Sequence, residues 1–115
     1  MRFFGYTLGD ESVPMPPPSE EMMARMGAFV QEALDAGVVV ATGGMAPTAM
    51  GVKLTAKDGE ISVVDGPFAE AKEVIGGWVL YEVASMDEAV AWSTKFLEVL
   101  GGDAEVRVRP VYGPE

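Results

Sequence analysis

The sequence predicts an α+β domain, a split β-α-β sheet carrying an inserted hairpin, and three features point to it. Two stretches with helical periodicity open on serine caps, Ser19 and Ser85, and each lies between strand-like runs. Asp58-Gly59 sits between two short alternating apolar runs, the strongest short-range hairpin signal. In order, the elements read β-α-β, hairpin, β-α-β, the pattern of a ferredoxin-like sheet with a two-stranded insertion and both helices on one face.

Residues 2–8 (R-F-F-G-Y-T-L) are aromatic and β-favouring, with Phe4, Tyr6 and Leu8 on one face and Phe3, Gly5 and Thr7 on the other. Gly9-Asp10-Glu11-Ser12 and the prolines Pro14, Pro16, Pro17 and Pro18 cannot continue that strand and form a stiff, extended loop. Ser19 then caps a helix running to about Ala36, with Glu20 and Glu21 in its first turn and Gly37 just past its end. Met22, Met26, Phe29, Val30 and Ala33 recur at helical spacing and form its core stripe.

Residues 38–42 are apolar on both faces, so they read as a strand covered on both sides. Gly43, Gly44 and Pro47 make a loop, and the hairpin follows, with Val52 and Leu54 on one strand and Ile61 and Val63 on the other. Residues 77–83 form a further strand that splits Val79, Tyr81 and Val83 from Trp78, Leu80 and Glu82. Ser85-Met86-Asp87-Glu88 is a capping box opening a helix to about Leu100, with an apolar stripe of Met86, Ala89, Val90, Leu97 and Leu100. Trp92 and Phe96 lie beside that stripe, and Gly101-Gly102 ends it. In the last strand, residues 104–112, Val106 and Val108 alternate with Arg107 and Arg109.

With 115 residues the chain suits one domain. Apolar residues make up 49% of it and the mean hydropathy is +0.19, yet no apolar run approaches the roughly 20 residues that span a bilayer. The apolar excess therefore suits a subunit interface. The opening residues lack the pattern of a signal peptide, so a cytoplasmic location is expected. The absence of cysteine and histidine excludes disulfides, thiolate nucleophiles, structural zinc sites and the commonest general base. A net charge of −10 disfavours contact with a phosphate backbone, so no direct nucleic-acid partner is expected. Without a spanning apolar run no membrane partner is expected, and no cofactor is expected either.

Polar chemistry concentrates in residues 63–79, V-V-D-G-P-F-A-E-A-K-E-V-I-G-G-W-V. Pro67 stops the preceding strand and suits the first position of a short helix, and Asp65 is placed to accept backbone N–H groups of the turn. A turn alone explains much of this stretch. It also gathers an acid, a base and an aromatic within one turn. The face carrying Trp78, Leu80, Glu82, Arg107 and Arg109 is too apolar for water and too charged for a sealed core. Two such faces packed together in a homodimer satisfy both demands around an inner cavity.

Asp65-Gly66-Pro67-Phe68-Ala69-Glu70, followed by Lys72-Glu73 and Gly76-Gly77, resembles the signature of the DGPF-motif branch of the YCII-related proteins. Leu8-Gly9-Asp10-Glu11 and Val108-Arg109-Pro110-Val111 are similar to the family's opening and closing strands. The resemblance implies a dimeric α/β barrel with a pocket in each subunit beside the motif. In the wider superfamily it also implies a histidine and aspartate pair as active site, which this histidine-free chain cannot carry. The fold is shared with cofactor-free lyases, isomerases and monooxygenases, and some DGPF relatives are associated with sigma-type transcription factors.

Two functions compete. In the first, the cavity binds a small polar or anionic metabolite, with Arg109 as anion partner, Trp78 and Phe68 as walls, and Asp65 and Lys72 as further contacts. Its structural counterpart is a cross-sheet pairing of Arg107 or Arg109 with Glu82 or Glu105. In the second, a cofactor-independent enzyme uses Asp65 or Glu70 as base while Lys72 or Arg109 steadies negative charge, which requires a buried carboxylate. Metal binding by Asp65, Glu70 and Glu73 is a third, weaker reading, because such acid spacing lacks a ligand-loop pattern.

Overall fold

A computed structural model describes residues 1–13, 16–68 and 73–113. The elements are β1 (Arg2–Gly9), α1 (Glu20–Asp35), β2 (Val39–Gly44), β3 (Val52–Lys57), β4 (Glu60–Asp65), β5 (Val74–Glu82), α2 (Met86–Leu100) and β6 (Val106–Pro110), with a 3-10 turn at Thr48–Met50. A four-stranded sheet of order β2-β5-β1-β6 carries both helices, and β3-β4 forms a separate two-stranded sheet. Each neighbouring pair in the larger sheet is antiparallel. That order is consistent with a ferredoxin-like split β-α-β arrangement with the hairpin inserted between its halves.

Local chemistry explains the element ends. The Ser19 side chain accepts the Met22 N–H, and Ser85 accepts that of Glu88. The Glu88 carboxylate takes the N–H of Ala84, one residue before the partner expected of it. At the end of α1, Gly37 adopts φ +73°, and the Gly37 and Val38 N–H groups return to the Leu34 and Ala33 carbonyls. These two bonds make a Schellman closure, and the left-handed conformation it needs is open to glycine. The hairpin turn has positive φ at both Asp58 (52°) and Gly59 (80°), as a two-residue hairpin of primed type requires.

Alternation along β1 divides the layers. Phe3 faces the helices and joins Ala33, Val38, Tyr81, Val83 and Ala89 in the core. Phe29 of α1 packs against Trp92 and Phe96 of α2, with ring centroids 6.1 and 6.3 Å apart. Tyr81 reaches through this layer to Ser93, their hydroxyls 2.9 Å apart; burial pushes the phenol pKa up and the Ser93 hydrogen bond offsets part of that.

Two expectations are corrected. Strand β2 lies at the sheet edge, and Val40 to Gly44 are exposed in the single chain. Its run of valines signals hydrophobicity but not which neighbours cover it. Val90, expected in the inward stripe of α2, is exposed, because the buried positions Ala89 and Ser93 set the inward face one residue away.

Candidate functional site

The turn after β4 is held from outside rather than by its own aspartate. The Gly66 N–H donates to the Gly51 carbonyl at 2.9 Å, and the Phe68 N–H to Thr48 Oγ1 at 3.3 Å. Among the described residues the Asp65 carboxylate accepts no hydrogen bond; Asp65 is exposed and pairs with Val52 at the end of the hairpin ladder. The cap expected of Asp65 is thus supplied to Phe68 by Thr48, and the Gly66–Pro67 peptide bond is cis. A Cβ on Gly66 would overlap the Thr48 carbonyl group, so only glycine lets the two backbones approach this closely.

Thr48 is tied in turn to the loop after β1. Its N–H donates to Glu11 Oε1 at 2.8 Å and its hydroxyl to Glu11 Oε2 at 2.5 Å. Glu11 and Thr48 join the β1-α1 loop to the motif; Glu11 entered the sequence reading only as part of the family's opening strand, and Thr48 did not stand out. The tie links residues 37 positions apart, a separation no local pattern reports. Glu11→Ala removes both acceptors and is expected to cost about 1 kcal/mol, since the carboxylate is exposed. Faster hydrogen exchange at the Thr48 amide would accompany the loss; an unchanged amide would show that the tie is not held in solution.

Beside this tie lies a cleft of about 350 Å³, lined by Gly9, Asp10, Glu11, Met45, Pro47, Ile75 and their neighbours. Its volume is in the range of small-molecule sites.

The sheet face turned away from the helices has different chemistry. The register aligns Arg109, Phe4, Leu80 and Ala41 in one row across the four strands, and Arg107, Tyr6, Trp78 and Gly43 in the next. The ring centroids of Phe4 and Trp78 stack at 6.2 Å, and those of Phe4 and Tyr6 lie 5.6 Å apart. Gly43 leaves room for the indole, since a Cβ there would come within 3.3 Å of it.

The two arginines differ. Arg107 bonds Glu105 at 2.6 Å and Glu73 at 3.5 Å, and these carboxylates raise its pKa above the ordinary value, the Glu105 hydrogen bond most. Glu82 pairs with Arg2 at 3.6 Å. Among the described residues Arg109 has no ion pair or hydrogen bond. The cross-sheet pairing expected with Glu82 or Glu105 is not what holds Arg107: Glu105 stands two residues before it in the chain and Glu73, just before β5, is its more distant partner, while Arg109 makes no such pair among the described residues.

Among the described residues no hydrogen bond, ion pair or ring contact joins Asp65 and Phe68 to Trp78 and Arg109. The first pair belongs to the hairpin end and its turn, the second to the open sheet face. Glu70 and Lys72, with the short helix expected after Pro67, lie outside the described residues. Glu73, the third acid of the metal reading, is engaged by Arg107. Among the described residues no helix is long and apolar enough to cross a membrane.

Fold and site define a small α+β protein of antiparallel sheets and two helices, with one sheet face that sets half-buried aromatic residues beside the exposed Arg107 and Arg109. The chain belongs to the YCII-related family, whose domain model matches residues 1–111. It is similar to an uncharacterized protein of Rhizobium meliloti (strain 1021), 32% identical over 92 residues that cover 80% of this chain and 74% of that protein.

Proposed function

We propose that this protein, of the DGPF branch of its family, is a homodimeric binding protein that holds a small anionic metabolite against the open sheet face. The observation that carries this reading is Arg109, a guanidinium without a partner among the described residues, in the same row as Phe4 and Leu80. A planar fork of N–H donors beside aromatic walls suits a carboxylate or phosphate on a small organic body.

Dimerisation is supported by surface area. The chain exposes 8342 Å², against about 6,000 Å² for a compact monomer of its 12.2 kDa. The surplus of roughly 2,300 Å² exceeds the about 800 Å² that each partner contributes to a standard interface. A second copy laid on the open face would close Arg109 and the aromatic rows into a cavity and exclude water from them.

The test is thermal unfolding against a panel of small organic carboxylates and phosphates. A ligand at a hundredfold excess over Kd adds about 2.7 kcal/mol, a rise of order 10 °C in Tm. At least one compound is expected to stabilise the wild type but not Arg109→Gln, a change at an exposed position that leaves the core untouched. Absence of a stabilising compound, or equal stabilisation of both proteins, would contradict the reading.

A further inference from the structure

The inserted hairpin is the part of the chain that the fold leaves least explained. Every residue of β3 and β4 is exposed, and the two strands form a sheet of their own. The register pairs Leu54 with Val63 and Ala56 with Ile61, and Val52 lies two residues from Leu54 on the same face. This gives one continuous apolar face, on which Leu54 is 63% exposed, Val63 61% and Ile61 73%. Lys53, Thr55, Ser62, Lys57 and Glu60 point to the other side together with Val64, and Asp65 opposite Val52 ends the apolar face. The hairpin thus has the alternation of a strand pair with one buried face, while its own chain buries neither face.

A two-stranded hairpin alone is marginal in water and needs a further layer against its apolar side. The radius of gyration, 16.4 Å, exceeds the about 13 Å of a compact domain near this length, as a projecting arm would make it. The surface surplus of roughly 2,300 Å² is almost three times what one side of a standard interface takes, so it leaves area for more than the open sheet face.

We infer that the hairpin is an exchanged arm: its apolar face, Val52, Leu54, Ala56, Ile61 and Val63, packs against the second copy of the same chain. The inference rests on the homodimer proposed above and adds a second contact region to it. A two-fold dimer makes the contact twice, each arm reaching the other subunit, so it closes on itself and leaves no apolar arm for open-ended association. The arm is continuous with the motif, because β4 ends at Asp65 and the next residue is seated on Thr48. Covering the arm would therefore also steady the turn at Gly66 and Phe68.

Amide hydrogen exchange and sedimentation, on the wild type and on Ile61→Lys, test this. In the wild type, β3 and β4 amides are expected to be protected at concentrations where the dimer forms and to exchange freely after dilution to monomer. Ile61→Lys should weaken the dimer at least about tenfold, since it places a charge in an apolar contact. Far-ultraviolet circular dichroism should not change, because the hairpin pairs with no strand of the larger sheet and the monomer fold does not depend on it. A wild type monomeric throughout would remove the dimer reading itself. A dimer with freely exchanging hairpin amides, or one unaffected by Ile61→Lys, would overturn the arm alone. Protection of the hairpin in a monomer, or only on addition of lipid vesicles, would also overturn it by assigning its apolar face another cover.

Discussion

Gly66→Ala is expected to lose roughly 3 kcal/mol of stability, at the upper end of overpacking costs, because the new methyl group would occupy the space of the Thr48 carbonyl. The neighbour is backbone and cannot rotate away. Relief requires the turn to lift off Thr48, which also breaks the bonds from Gly66 to Gly51 and from Phe68 to Thr48. Gly27→Ala serves as the control, since a Cβ there meets nothing within 4 Å inside an exposed stretch of α1. It should stabilise by about 0.5–1 kcal/mol through helix propensity. Equal effects of the two changes in urea unfolding would show that the motif is not seated on Thr48.

Phe3→Ala and Phe4→Ala, one residue apart, are expected to fail in different ways. Phe3 is 2% exposed at the centre of the core, so its truncation should cost about 3–5 kcal/mol at any protein concentration. Phe4 lies on the opposite face, stacked with Trp78 and flanked by Arg109. Its loss should act chiefly on association, so the Tm of Phe4→Ala should fall further below wild type as protein concentration rises through the dimer range of the wild type. A concentration-independent deficit for both variants would place Phe4 in the monomer core and remove the open face.

How much of this was legible in the sequence followed the range of each interaction. Ser19, Ser85, Gly37 and the Asp58-Gly59 turn act over a few residues, and their capping and turn chemistry could be read directly. The division of Phe3 from Phe4 and of Tyr81 from Trp78 follows from the two-residue period of a strand, so the two sheet faces were legible as well. The burial of β2 and of the hairpin was not, because apolar alternation states that a face wants cover without stating what supplies it. The seat of the motif was hidden for a similar reason. Asp65 looked like the cap of its own turn, whereas Thr48 and Glu11 hold that turn through contacts 20 and 37 residues long. Arg107 and Arg109 looked equivalent by alternation. Only the positions of Glu73 and Glu105 beside Arg107 separated the paired cation from the one with no partner among the described residues.

The central claim is that the open face of the sheet is the inner wall of a cavity that a second copy closes. Sedimentation equilibrium of the wild type across micromolar concentrations tests this most directly. The account predicts a homodimer with twice the 12.2 kDa chain mass, weakened by Phe4→Ala. A monomer throughout that range would contradict it, leaving the aromatic rows and Arg109 facing water with nothing to enclose a ligand.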